Sequence, residues 1–101
     1  MKLVRDCIPE IIEEDGKWCL TRTVRDVDEH LVLLKEKIIE EAQEFIENPC
    51  YEEAADMIEV VKAFCYLNSL DFDVAINTAR NKQETHGGFH NGIILQRVGE
   101  K

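Results

Sequence analysis

The sequence is short of positive charge. Lys and Arg number 12 against 21 Asp and Glu, a formal net charge of −9 at pH 7. Such a chain repels a phosphate backbone or an anionic bilayer, which argues against nonspecific binding to nucleic acid or to a membrane surface. No apolar run is long enough to span a bilayer. The opening Met1-Lys2-Leu3-Val4-Arg5-Asp6 lacks the apolar stretch of a signal peptide. The four cysteines, Cys7, Cys19, Cys50 and Cys65, form no C-x-x-C pair, so reduced thiols in a cytoplasmic setting are expected rather than a disulfide framework. Proline and glycine are also scarce, at two and five, and the breaks they mark stand out: Pro9, Gly16, Pro49 and Gly87-Gly88.

What is present fits one domain of 101 residues, with 45% hydrophobic and 33% charged residues, the balance of a soluble globular protein with a single modest core. Pro9 suits the first turn of a short helix within 3–16 that carries Ile8, Ile11 and Ile12 and ends near Gly16. Trp18 to Val24 is rich in aromatic and β-branched residues, as in a short strand or extended stretch. Asp26 or Asp28 can cap a long helix over roughly 27–47. Its apolar stripe is Val27, Leu31, Leu34, Ile38 and Phe45, and Asn48-Pro49 ends it. The next helix, about 51–69, is apolar over much of its circumference and reads as the most buried. Asp71 can cap a last helix over about 72–85, with Val74, Ile76 and Ala79 facing inward. Ile93-Ile94-Leu95 reads as a terminal strand or extended arm. The expected fold is all-α: an antiparallel bundle of about four helices with minor extended segments near the termini. The nearly all-round apolar third helix predicts a homodimer or homotetramer.

Two acidic runs flank Pro49: Glu40-Glu41-Ala42-Gln43-Glu44 before it and Glu53-Ala54-Ala55-Asp56 after it. In an antiparallel hairpin turning at Asn48-Pro49, Glu44 faces Glu53 and Glu41 faces Asp56. Within each helix the partners are three apart on one face, so four carboxylates converge within roughly 4.5 Å of helix rise. Glu41 also occupies a place in the apolar stripe where a core residue belongs, and Asp56 lies among apolar neighbours. A carboxylate buried alone costs several kcal/mol or takes up a proton. The bland reading is a wet acidic face, but the nearby cations are few, Lys35, Lys37 and Lys62, and the like-charge pairs are many. The pattern therefore favours a hard, oxygen-preferring ion, Mg²⁺ with Mn²⁺ as a substitute.

The runs fit a signature, E-E-x-x-E followed by E-x-x-D on the next helix, that resembles the all-α nucleoside triphosphate pyrophosphohydrolases of the MazG-like superfamily, which includes phosphoribosyl-ATP pyrophosphohydrolase. The start, Lys2 to Ile12, resembles the K-L-V-R-D-K-I-P-E-I-I opening of a small subgroup, and Gly87-Gly88-Phe89 with Ile93-Ile94-Leu95 resembles its close. The resemblance implies that Glu41, Glu44, Glu53 and Asp56 hold Mg²⁺. It implies cleavage of a nucleoside triphosphate between the α- and β-phosphates, giving a monophosphate and pyrophosphate, with the nucleotide near a subunit interface. Removal of non-standard nucleotides is a fitting role. Glu40 or Glu44 is the candidate to accept a proton from the attacking water, and Lys82 the candidate phosphate contact. Cys7 stands where the subgroup has lysine, and His86 where arginine is common. Only residues 45–52 separate Glu44 from Glu53, fewer than in many such enzymes.

The remaining chemistry-bearing residues read as ordinary. His86 and His90 have helical metal spacing, but the glycine pair between them breaks a helix. Trp18 and Phe89 suit packing better than base stacking, Cys50 and Cys65 suit burial, and Arg5 suits a local pair with Asp6. A non-catalytic nucleotide- or metal-binding module on the same fold is the alternative to the enzyme, and a purely structural helical protein the third possibility.

Overall fold

A computed structural model describes residues 1–101. It holds four helices and no strand: α1 (Ile8–Glu14), α2 (Val27–Glu47), α3 (Tyr51–Leu67) and α4 (Phe72–His86). The chain divides into two compact units, Met1–Leu70 and Asp71–Lys101. No helix is long and apolar enough to cross a membrane.

In the first unit, Pro9 stands in the opening turn of α1, where its fixed φ suits a helix and its missing N–H leaves no gap. The chain leaves α1 through Gly16 at φ +78, a conformation glycine adopts without a Cβ clash. The start of α2 is tied more heavily. The Glu29 N–H donates to Asp26 Oδ1 at 2.9 Å, and the Arg25 N–H donates to Glu29 Oε1 at 2.9 Å. This is a reciprocal cap in which two backbone donors without helical partners are satisfied by side chains three residues apart. Glu29 also holds Arg22 at 2.8 Å and Arg25 at 3.1 Å. Those guanidiniums and the backbone N–H lower its carboxyl to about 2, Arg22 contributing most.

Three residues, Asn48, Pro49 and Cys50, join α2 to α3, and these two helices pack on one another. Asn48 leaves the helical region at φ −137, as a residue before proline must. At the far end of α3, the Asn68 side chain donates to the Phe64 carbonyl at 2.8 Å and the Leu70 N–H to the Cys65 carbonyl at 2.9 Å.

Burial between α2 and α3 is thin. Leu34, at 2% exposure, and Cys65, at 9%, are the buried apolar residues, and Glu41, at 6%, is the one buried charged residue. The apolar third helix is left partly uncovered in the single chain. Ile58, Val61 and Tyr66 on α3 and Val32, Ile39 and Ile46 on α2 lie open, because two helices cover only one stripe of each other. The stretch Trp18 to Val24 is irregular rather than a strand, with Trp18 and Leu20 exposed. β-branched residues favour a strand only when a neighbour supplies the hydrogen-bond ladder.

In the second unit, Asp71 Oδ1 accepts from the Asp73 N–H at 2.8 Å and the Val74 N–H at 3.4 Å, which starts α4. Gly87, at φ +83, follows its last residue. Val74 and Ile76, expected to face inward, are exposed within this unit, as are Ile93, Ile94 and Leu95, which form no strand.

Candidate functional site

The α2–α3 contact brings together the residues that break the apolar pattern. One carboxylate oxygen each from Glu41 on α2 and from Glu53 and Asp56 on α3 lies within 4.8 Å of the others. Helix spacing explains the arrangement: Glu53 and Asp56 are three residues apart and so stand on one face of α3, while Glu41 shares the inward stripe of α2 with the buried Leu34. Glu41 is nearly withdrawn from water, and Glu53 and Asp56 are half-buried.

Two cations meet these acids. Lys37, one turn before Glu41, places Nζ 3.2 Å from Glu41 Oε1 and 3.3 Å from Glu40 Oε2. Burial, the largest single influence, pulls the Lys37 ammonium down, but its hydrogen bonds with Glu41 and Glu40 outweigh it and leave the group above the usual lysine range. Arg5, from the stretch ahead of α1, donates through Nη2 to Asp56 Oδ1 at 2.8 Å. The Arg5–Asp56 pair replaces the expected local pairing of Arg5 with Asp6.

The balance stays negative. Glu41 Oε2 and Glu53 Oε2 are both buried and have no hydrogen-bond partner. An unmet buried acceptor costs about 1–3 kcal/mol, and more when it is charged. Both are carboxylate oxygens, the donor type that a hard divalent cation takes.

Glu44 is exposed and outside this trio. Its carboxyl is pushed above the ordinary range, first by the charge of Glu41, then by desolvation and by Glu53 and Glu40. Glu40 is held at Lys37. Lys82 is exposed on α4, in the second unit. His86 Nδ1 lies 2.7 Å from Thr85 Oγ1.

Sequence reasoning underweighted Lys37 and missed the partner of Arg5. Lys37 was readable, since positions 37, 40 and 41 have i,i+3 and i,i+4 spacing. Arg5 and Asp56 are 51 positions apart, and no local spacing connects them. Compared with protein-family models, with curated proteins and with solved structures, the chain matches none.

Proposed function

We propose that the protein is a Mg²⁺-dependent nucleotide pyrophosphohydrolase, hydrolysing a nucleoside triphosphate between the α- and β-phosphates to a monophosphate and pyrophosphate. One observation carries the reading: a 94%-withdrawn glutamate, Glu41, has an unpartnered buried oxygen and sits in a trio of carboxylates drawn from two helices. Glu41, Glu53 and Asp56 would hold the ion, and Glu44, one turn beyond Glu41, would complete the set. When bound, Mg²⁺ offsets phosphate charge and acidifies a coordinated water. Glu40 and Glu44 are the carboxylates that can take that water's proton. The family resemblance alone makes Lys82, on α4 of the second unit, the candidate phosphate contact.

We further propose that the working form is a homodimer or homotetramer in the cytoplasm. Apolar side chains such as Ile39 and Ile46 on α2 and Ile58 on α3 lie open, as on helices that pack against a further subunit. Four free thiols suit a reducing compartment. Removal of non-standard nucleotides is the role that fits an enzyme of this kind.

The test is pyrophosphate release across a panel of standard and modified nucleoside triphosphates, with and without Mg²⁺. Metal-dependent release is expected, and Glu40→Gln and Glu44→Gln identify the proton acceptor by which variant loses turnover while still binding Mg²⁺. Mg²⁺ binding without release from any nucleotide would favour the second reading, a non-catalytic nucleotide- or metal-binding module, which the half-satisfied carboxylates accommodate equally.

A further inference from the structure

A chain with a net charge of −9 that receives a polyphosphate at an acidic cluster needs a cation beside it with donors to spare. Lys37 is committed: its side chain is 17% exposed and its ammonium is held between Glu40 and Glu41. Arg5 is placed differently. Its carbonyl accepts from the Ile8 N–H at 3.1 Å, which fixes its backbone one turn ahead of α1. Its side chain crosses to α3 and makes a single hydrogen bond, Nη2 to Asp56 Oδ1 at 2.8 Å. A guanidinium carries five N–H donors in a planar fork, so most of the fork is uncommitted, and the side chain is 54% exposed.

The pair is also not the closed, two-pronged kind. A fork-to-fork arginine–carboxylate pair uses both carboxylate oxygens, whereas here Arg5 engages Oδ1 alone. Asp56 therefore orients the arginine with one oxygen and keeps the other for a further partner. The negative field at Arg5 comes from Asp56 first and also from Glu59 and Glu41, and it holds the guanidinium firmly charged.

We propose that Arg5 is a phosphate-binding residue: fixed through Asp56 Oδ1, it presents its remaining N–H donors to a phosphate oxygen of a polyphosphate that a divalent cation brings to Glu41, Glu53 and Asp56. This rests on the reading of those three carboxylates as a cation site. The planar fork matches phosphate geometry in a way that a lysine ammonium does not. The contact also gives the stretch ahead of α1 a direct task in substrate binding.

The probe is inorganic tripolyphosphate, which carries no base or sugar. Its affinity is measured by titration calorimetry at saturating Mg²⁺ for the wild type, Arg5→Gln and Arg5→Lys, and each protein is also titrated with Mg²⁺ alone. Arg5→Gln is expected to weaken tripolyphosphate about tenfold or more, as loss of a charge-assisted contact does, while Mg²⁺ affinity stays level or rises. Arg5→Lys is expected to recover only part of the loss. Wild-type affinity for tripolyphosphate in Arg5→Gln overturns the proposal, and so does a loss that merely follows a loss of Mg²⁺ affinity, since Arg5 would then only brace the cluster. A wild type that takes up no Mg²⁺ strikes down the cation site itself, and the role of Arg5 with it.

Discussion

Lys37 and Glu41 form an ion pair one helical turn apart on α2, Nζ to Oε1 3.2 Å, with both side chains largely withdrawn from water. The ammonium partners one oxygen of Glu41 and leaves the other, Oε2, buried and unmet. Under the proposed function, Lys37 supplies part of the charge that a divalent ion would bring, and the two would compensate the same glutamate. Lys37→Met should lower stability without divalent ions by about 3–5 kcal/mol, the cost of a buried charge losing its partner. Mg²⁺ should restore most of it, so the Mg²⁺-induced rise in melting temperature should be larger in the variant. Equal rises in both proteins would show that the ion and the ammonium do not share Glu41.

Glu41→Gln and Asp56→Asn remove one negative charge each from the trio while keeping its shape. Both variants should keep their helical circular dichroism yet lose most of the Mg²⁺-induced melting shift and at least about a hundredfold in pyrophosphate release, the scale on which metal ligands matter to such chemistry. Glu47→Gln, on the last residue of α2 and outside the trio, serves as the control and should behave as wild type. A full Mg²⁺ response in Glu41→Gln would remove the cation from this place.

The parts of this structure that were legible in the sequence are those set by neighbours along the chain. The span of α2 follows from the aspartate cap at Asp26, the 3.6-residue stripe from Val27 to Phe45 and the stop at Asn48-Pro49. Glu41 betrayed itself by occupying a stripe position that an apolar residue should fill. The parts that were not legible depend on partners distant in sequence or on another surface. The hydrogen bond of Arg5 to Asp56 spans 51 positions, and no periodicity encodes it. The apolar richness of α3 was readable, but not which of its residues α2 covers, because hydrophobicity records that a residue seeks burial without recording against what. Trp18 to Val24 misled for a related reason: strand propensity presupposes a paired strand, and this chain has none.

The cap of α2 makes a pH-dependent prediction. The folded protein holds Glu29 at about 2, below its ordinary value of 4.5, chiefly through Arg22. A depressed carboxyl binds its proton less tightly in the folded state than in the unfolded state. Its stabilisation is therefore complete above about pH 4.5 and drains away as pH falls toward about 2. Glu29→Gln should be less stable than wild type at neutral pH, and the gap in urea midpoint should narrow steadily between those two values and close below them. A gap that stays constant across the acidic range would mean that Glu29 acts through packing rather than through its charge.

The open apolar faces of α2 and α3 predict the assembly state. Ile39 and Ile46 on α2 and Ile58 on α3 are each more than half exposed in the single chain. Burying a side chain of this size is worth roughly 1.5–3 kcal/mol, so a few of them per subunit suffice to drive association. Sedimentation equilibrium at micromolar concentration should report a multiple of 11.7 kDa. Ile39→Glu would strand a carboxylate in such an interface, a cost of several kcal/mol, and should shift the population toward the monomer. Ile11→Glu, the same apolar-to-charged change at an exposed position of the short α1, should leave the mass unchanged. The pair of variants separates a specific helical interface from general stickiness, because a nonspecific aggregate would respond to both. A wild type that sediments as a monomer while keeping full Mg²⁺ response would leave the carboxylate trio intact and remove the subunit interface from its neighbourhood.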